Sequence, residues 1–149
     1  MNREQLLDKI DRAWSKFNAA WEGLSEADMT APGVVGEWSV KDVLAHVTTW
    51  EEEALKYLPL IAQGQRPPRY KDLYGGLDSF NEQMAARKKA LPLNVVIDQL
   101  QTTHRQLLDY LAAAPEEYLT RETPFRRRVR LDTYSHYPIH AQSILEWRQ

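Results

Sequence analysis

The stretch Ser39-Val40-Lys41-Asp42-Val43-Leu44-Ala45-His46-Val47 opens the most regular segment of the chain, which continues to about Gln63. Ser39 and Asp42 form the pattern of a capping box, in which the carboxylate reaches back to the free N–H groups of a helix start. Apolar residues then recur at steps of three and four, which predicts an amphipathic helix that Gly64 ends. These residues are Val40, Val43, Leu44, Val47, Ala54, Leu58 and Ile61.

Three further apolar stripes predict three more helices on either side of this one. The first runs from a cap at Asn2 to about Trp21, the third from about Asn94 to Ala113, and the fourth from Asp132 or Thr133 to Trp147. Four such stripes bury each other most simply in a helical bundle.

Two segments between these helices lack a helical period. Residues Gly64–Gly76 hold two prolines and three glycines and predict a long crossover loop between helices two and three. Residues 115–130 are predicted to be irregular, with a short extended segment near their end. With no convincing strand, we predict an all-α four-helix bundle that forms a single domain over residues 1–149.

Composition limits the range of possible functions. The chain has 149 residues, a hydrophobic fraction of 43%, no cysteine and a formal net charge of −2. Without cysteine, a metal must be held by histidine and carboxylate. The weak negative charge speaks against a nucleic-acid partner. No membrane span or export signal is recognised, so we expect a cytoplasmic protein that has no membrane partner.

His136 and His140 are the candidate metal ligands with the clearest spacing, because four residues of a helix return to nearly the same face. His46 lies about two turns into the second helix. If the helices alternate in direction, all three imidazoles fall at the same end of the bundle. Three neutral nitrogens leave coordination positions open, as in catalytic sites for zinc or another divalent ion. Alternatively, the pair comprises two ordinary polar residues near a helix end.

Pro138 and two carboxylates bear on this pair. Asp42 and Asp132 each precede a histidine by four residues and could orient its imidazole, or could simply favour a helix N-terminus. Pro138 bends the fourth helix if that helix begins at Asp132. It causes no bend if the helix begins as late as Ser135.

Other residues are candidates for a ligand pocket. Trp50, Glu53 and Tyr57 continue the face of His46, with Glu53 as a candidate proton acceptor; each is also compatible with the core or a partner surface. Trp38, Asn81 and Tyr137 complete the candidate binding set. His104 is predicted to be a hydrogen-bonded core residue, and the basic run Arg126–Arg130 is predicted to be a solvated loop whose charge nearby acids compensate.

The segment Gly36–Glu51 (GEWSVKDVLAHVTTWE) resembles the helix-two signature of the DinB-like (DinB/YfiT-like) four-helix-bundle superfamily, and His-x-x-x-His at 136 and 140 is similar to its helix-four motif. The segment's Trp-Ser-Val-Lys-Asp start, together with Asp78-Ser79-Phe80-Asn81, most resembles the ClbS/DfsB branch. The resemblance implies a metal site on the three histidines, with zinc or nickel favoured. It also implies thiol-dependent transfer, isomerisation, or protection against reactive natural products. Ile139 stands where relatives frequently have an acid.

Two functions of different class follow. The first is a metal-dependent enzyme that acts on a small electrophilic or toxic metabolite, by hydrolysis with metal-activated water or by transfer of a low-molecular-weight thiol. The second is a binding protein whose tryptophan-rich cleft (Trp38, Trp50 and Trp147) sequesters a small molecule without turnover. A homodimer through exposed aromatic helix faces is consistent with either.

Overall fold

The computed structural model describes residues 1–149 and contains nine helices and no β-strand. The helices are α1 (Arg3–Trp21), α2 (Glu26–Thr30), α3 (Val40–Ala62), α4 (Tyr70–Tyr74), α5 (Leu77–Lys88), α6 (Leu93–Ala113), α7 (Glu116–Thr120), α8 (Pro124–Asp132) and α9 (Tyr137–Arg148). None of them combines the length and the apolar character that crossing a membrane requires.

The long helices pack as the arms of a bundle, and this confirms the predicted all-α class. Helix α3 packs against α6, while α1 packs against α9. The fourth arm is divided, because α8 packs on α3 and α9 packs on α1. Buried apolar side chains from all these helices form one continuous core.

The predicted cap at Asn2 and the predicted capping box at Ser39 are both present and fix the starts of α1 and α3. Asn2 exchanges hydrogen bonds with Gln5, and Ser39 does so with Asp42. Helix α3 ends at Ala62, and Gly64 follows with a φ of +79°, a left-handed conformation that glycine adopts without steric cost. The predicted bounds of these two helices are therefore confirmed.

The crossover between α3 and α6 is not free of helix, as residues 64–76 were predicted to be. It contains the short helix α4, from Tyr70 to Tyr74, which leads directly into α5. Five residues are too few to show an apolar period, but the turn places Tyr70 over the side of α3.

The prediction of irregular structure over residues 115–130 is wrong. Thr123 caps α8 by accepting a hydrogen bond from the Arg126 N–H, and Pro124 occupies the first turn, where a missing N–H costs nothing. Phe125 and Val129, one helical turn apart, are both buried. Their spacing of four was helical, and the Thr-Pro start was the signal that could have shown it.

The fourth predicted helix begins later than Asp132. Helix α8 ends at that residue, Thr133 leaves the helical region with φ −127° and ψ −103°, and α9 begins at Tyr137. Pro138 therefore lies in the first turn of α9 and causes no bend, which is the second of the two predicted alternatives. His136 is the residue that precedes α9, and His140 lies one turn inside it.

Candidate metal centre and its cavity

Three histidines from two parts of the chain converge at one end of the bundle. His46 comes from the second turn of α3, His136 from the junction of α8 and α9, and His140 from α9. The Nε2 atom of His136 lies 3.1 Å from that of His46 and 2.9 Å from that of His140. These residues form a group that could hold a metal ion, with ligand atoms within 4.8 Å of one another.

Hydrogen bonds among the imidazoles do not fully account for this convergence. A neutral imidazole offers one N–H and one in-plane lone pair, so the single Nε2 atom of His136 cannot make two good hydrogen bonds. Ligands about 2.1 Å from one ion are separated by roughly 3.0 to 3.4 Å in octahedral or tetrahedral geometry. The separations of His136 Nε2 from the other two Nε2 atoms, 3.1 and 2.9 Å, are close to that range.

The opposite ring nitrogens make no hydrogen bond that would fix another tautomer. Nδ1 of His136 and Nδ1 of His140 are buried and have no protein hydrogen-bond partner. If each Nδ1 carries the proton, each Nε2 presents its lone pair to the common point.

The environment keeps all three rings neutral. Burial is the main cause that lowers the pKa of His46 to about 3, and the neighbouring charges of His140 and Lys88 lower it further. Burial lowers the pKa of His140 to about 4, and burial with the two neighbouring histidines lowers that of His136. Neutral imidazole is the form that binds a metal.

A cavity of about 380 Å³ opens beside His46 and His136. It is lined by His46, Trp50, Tyr70, Leu77, Asn81, Arg128, Leu131, Asp132 and His136. Leu77 and Leu131 are about half exposed, at 54% and 50%. The cavity thus combines imidazole nitrogens, an ion pair and apolar surface.

Arg128 and Asp132 form the polar wall of this cavity. Arg128 Nε donates to Asp132 Oδ2 at 2.6 Å, and Arg128 Nη2 donates to the Tyr70 hydroxyl at 2.7 Å. The guanidinium also lies 5.5 to 5.8 Å from the ring centroids of Trp50, Tyr57 and Tyr70. Burial raises the pKa of Asp132 to about 6, although Arg128 opposes the rise.

Among the predicted binding residues, Trp50 and Asn81 line the cavity and contact each other. The Trp50 indole N–H donates to Asn81 Oδ1 at 2.9 Å. Trp38 lies 5.0 Å from His46 between ring centroids, but it lines a neighbouring cleft that it shares with Asn81 and Asp42. Tyr57 is buried beneath Arg128 and does not line the cavity.

Glu53 is on the predicted face but does not line the cavity. Two helical turns separate it from His46, and Tyr70 of α4 lies between it and the cavity. The Tyr70 hydroxyl donates to Glu53 Oε1 at 3.2 Å. Glu53 therefore reaches a molecule in the cavity only through that hydroxyl.

Tyr137 is not placed to bind a ligand, although it adjoins His136. Its side chain is fully buried, and its hydroxyl donates to Glu51 Oε1 at 3.3 Å. Glu51 also accepts from His104 Nδ1 at 3.0 Å, and the Trp14 ring stacks on His104 at 3.6 Å. His104 is thus the hydrogen-bonded core residue that its position predicted.

Neither predicted orienting carboxylate contacts an imidazole. Asp42 Oδ2 accepts hydrogen bonds from the N–H and hydroxyl of Ser39, and Asp132 binds Arg128. The reason is local: Asp42 completes the capping box, and Asp132 ends α8, whereas His136 lies in the junction beyond that helix.

Sequence reasoning missed Tyr70 and Arg128. The basic run was predicted to be a solvated loop, and Arg130 does pair with Glu122. Arg128 instead has a side chain only 13% exposed and lies against the cavity. A helix over residues 124–132 would have shown this, since Phe125, Arg128 and Val129 then share one face.

Residues 9–143 match the model of the DinB superfamily. The chain belongs to the DinB superfamily. This confirms the resemblance found in the sequence, and no curated protein matches the chain.

Solved structures share the superfamily fold across almost the whole chain. ClbS, a colibactin self-resistance protein crystallised in complex with dsDNA, has a TM-score of 0.81 at 15% identity and covers 99% of this chain and 96% of its own. DfsB, described as a sibling lethal factor precursor, has 0.83 at 17%, covering 99% and 95%. A Streptococcus pneumoniae protein has 0.83 at 15%, covering 99% and 91%. Both proteins for which the predicted branch is named are thus fold neighbours.

The prediction that excluded a nucleic-acid partner is wrong. ClbS has this fold and was crystallised with dsDNA, so the DinB fold accommodates a nucleic-acid partner. The physical reason is that a net charge of −2 is a sum over the chain. Binding to phosphates depends on local basic surface, which a sum does not describe.

Proposed function

We propose that this DinB superfamily member is a metal-dependent enzyme that acts on a small electrophilic molecule, by hydrolysis or by transfer of a low-molecular-weight thiol. The supporting observation is the convergence of three neutral imidazoles, two of which, His46 and His136, line a cavity. Three imidazoles and no thiolate suit a borderline ion such as zinc or nickel. A divalent ion held there would supply Lewis acidity and lower the pKa of water.

Asp132 is the residue best placed to hold and release a proton in this reaction. It lines the cavity beside His136, and its pKa of about 6 allows exchange near neutral pH. The Arg128 Nε–H fixes one carboxylate oxygen, so the proton is carried by the other, Oδ1. Glu53, the candidate from the sequence, acts at most through the hydroxyl of Tyr70.

The role we propose is protection of the cell from a reactive small molecule. The fold neighbour ClbS is a self-resistance protein. We propose the same role for this chain, and the cavity supports it because its size suits a small ligand.

A second candidate function is sequestration without turnover. The observation that favours it is the aromatic cluster beside the cavity, in which Trp50, Tyr70 and Phe80 have ring centroids 5.0 to 5.2 Å apart. Such a wall binds apolar ligands by contact alone. Under this function, His140→Ala protein would still bind ligand.

Element analysis of protein purified without a histidine tag tests the metal proposal. We expect one divalent ion per chain in wild type and almost none in His46→Ala. The control is His104→Gln, which removes the fourth histidine but keeps a hydrogen-bond donor to Glu51. Wild type that takes up no ion after dialysis against zinc or nickel would show the metal proposal to be wrong.

Turnover is tested separately with the metal-loaded protein. We expect wild type to hydrolyse a chromogenic activated ester, p-nitrophenyl acetate, faster than His140→Ala does. Equal rates, together with retained ligand binding by His140→Ala, would favour sequestration.

A further inference from the structure

We propose that the cavity binds the oxyanion of its substrate through Arg128 and Asn81, so that the substrate is a small organic acid with an apolar body. Both side chains line the cavity. Each also has donor groups that no protein atom uses. The inference rests on the proposed function only in that it names the substrate class of the same site.

Arg128 has more donors than the protein satisfies. A guanidinium carries five N–H groups. Asp132 accepts from Nε and Tyr70 accepts from Nη2, while Nη1 makes no hydrogen bond within the protein. Because these two contacts and the surrounding rings hold the planar group in place, little side-chain entropy is lost when an oxyanion binds.

Asn81 supplies a second donor whose orientation is fixed. The indole N–H of Trp50 can only donate, so the Asn81 atom that faces it is the oxygen. The Asn81 Nδ2 group is then free of protein partners. An acceptor-rich group that contacts both Nη1 and Nδ2 would satisfy the unused donors on this wall.

The charge of Asp132 does not remove this capacity. Its Oδ2 is engaged side-on by Nε, which leaves the Nη1 edge of the guanidinium for a second acceptor. Arg128 is the only cationic side chain, and Asp132 the only carboxylic acid, among the residues that line the cavity. The histidines are neutral, so they add no net charge that would attract or repel an anion.

The remaining lining describes the rest of the substrate. Trp50, Leu77 and Leu131 present apolar surface, and both leucines are about half exposed. A volume of about 380 Å³ is at the small end for ligand sites. A carboxylate or phosphate on a compact apolar or aromatic body matches this combination.

Calorimetric titration with matched probes tests the proposal. The probes are phenylacetate, its neutral analogue phenylacetamide, and phenyl phosphate, all in EDTA so that a metal site plays no part. We expect either oxyanion to bind at least about tenfold more tightly than the amide. The ranking of the two oxyanions tells carboxylate from phosphate recognition.

Asn81→Asp is the decisive variant. It keeps the oxygen that accepts from Trp50 and replaces the free amide N–H₂ with a charged oxygen. We expect oxyanion affinity to fall by about tenfold or more and amide affinity to stay the same. Gln83→Glu is the control, because it adds the same charge to α5 outside the cavity, and it should leave all affinities unchanged.

Arg128→Gln should have the same effect, with folding checked by circular dichroism because it also loses contacts to Asp132 and Tyr70. The proposal is overturned if the amide binds as tightly as the oxyanions, if neither oxyanion binds at millimolar concentration, or if Asn81→Asp and Gln83→Glu behave alike. Failure of the metal proposal is separate. It would appear in element analysis and leave these EDTA titrations unaffected.

Discussion

Metal-free protein should lose stability as the pH falls below 6.5, and His140 should account for a measurable share of the loss. Its pKa is lowered from 6.5 to about 4 by burial. The unfolded chain therefore takes up a proton near pH 6.5, whereas the folded chain takes it up only near pH 4. Stability from this group is complete above pH 6.5 and declines as the pH falls toward 4.

The size of the effect follows from the shift. A shift from 6.5 to about 4 spans roughly 2.5 pH units, and each unit corresponds to about 1.4 kcal/mol, so His140 alone contributes about 3 kcal/mol. The pKa values of His46 and His136 are also lowered, so their contributions to stability have the same pH dependence. The contribution of Asp132 to stability has the opposite pH dependence, since its pKa is raised to about 6.

The comparison of wild type with His140→Gln isolates this contribution. Urea unfolding in EDTA, followed by circular dichroism between pH 7 and pH 5, gives the free energy of unfolding for each. Below pH 6 the wild-type value should fall more steeply than the variant's, by about 1.4 kcal/mol per pH unit. Gln142→Ala, an exposed change on α9, should follow wild type.

Parallel pH dependence of wild type and His140→Gln would refute the reasoning. It would mean that His140 titrates alike in the folded and unfolded chains, and hence that it is not held neutral in the folded protein. The inferred lone pair on its Nε2 at neutral pH would then have no support from titration.

Two further predictions concern the fold around the site. Pro138→Ala should destabilise the protein by less than about 1 kcal/mol in urea unfolding, since Pro138 lies in the first turn of α9. A gain of about 3 kcal/mol would instead place the proline inside a helix. Glu51→Leu should cost roughly 1 to 3 kcal/mol by leaving His104 buried without its hydrogen-bond partner, while the double change Glu51→Leu/His104→Leu should cost less than the sum of the two single changes. Strict additivity would argue against the pair.

The sequence predicted those parts of the fold that local patterns determine. The cap at Asn2, the capping box at Ser39 and the apolar stripe of α3 are local signals that place a helix within a few residues, and the structure has those helices. The convergence of His46 with His136 and His140 could also be predicted, because it depends on the directions of the helices and not on how individual side chains pack.

The cavity wall could not be predicted in the same way. Tyr70 belongs to a five-residue helix whose position depends on packing against α3, and short helices carry no periodic signal. Arg128 resembled its solvated neighbours in the sequence. Only the cap at Thr123 and the burial of Phe125 and Val129 turn it toward the cavity.

The short junction between α8 and α9 separates two groups of residues that belong to the site. Asp132 and Arg128 are carried by a helix that rests on α3, whereas His140 is carried by a helix that rests on α1. Residues 133–136 connect the two helices, and Thr133 among them is fully buried. A change in the length of this junction would move Arg128 and Asp132 relative to His140 and would also displace the buried Thr133, so the spacing of the site is linked to the packing of the core.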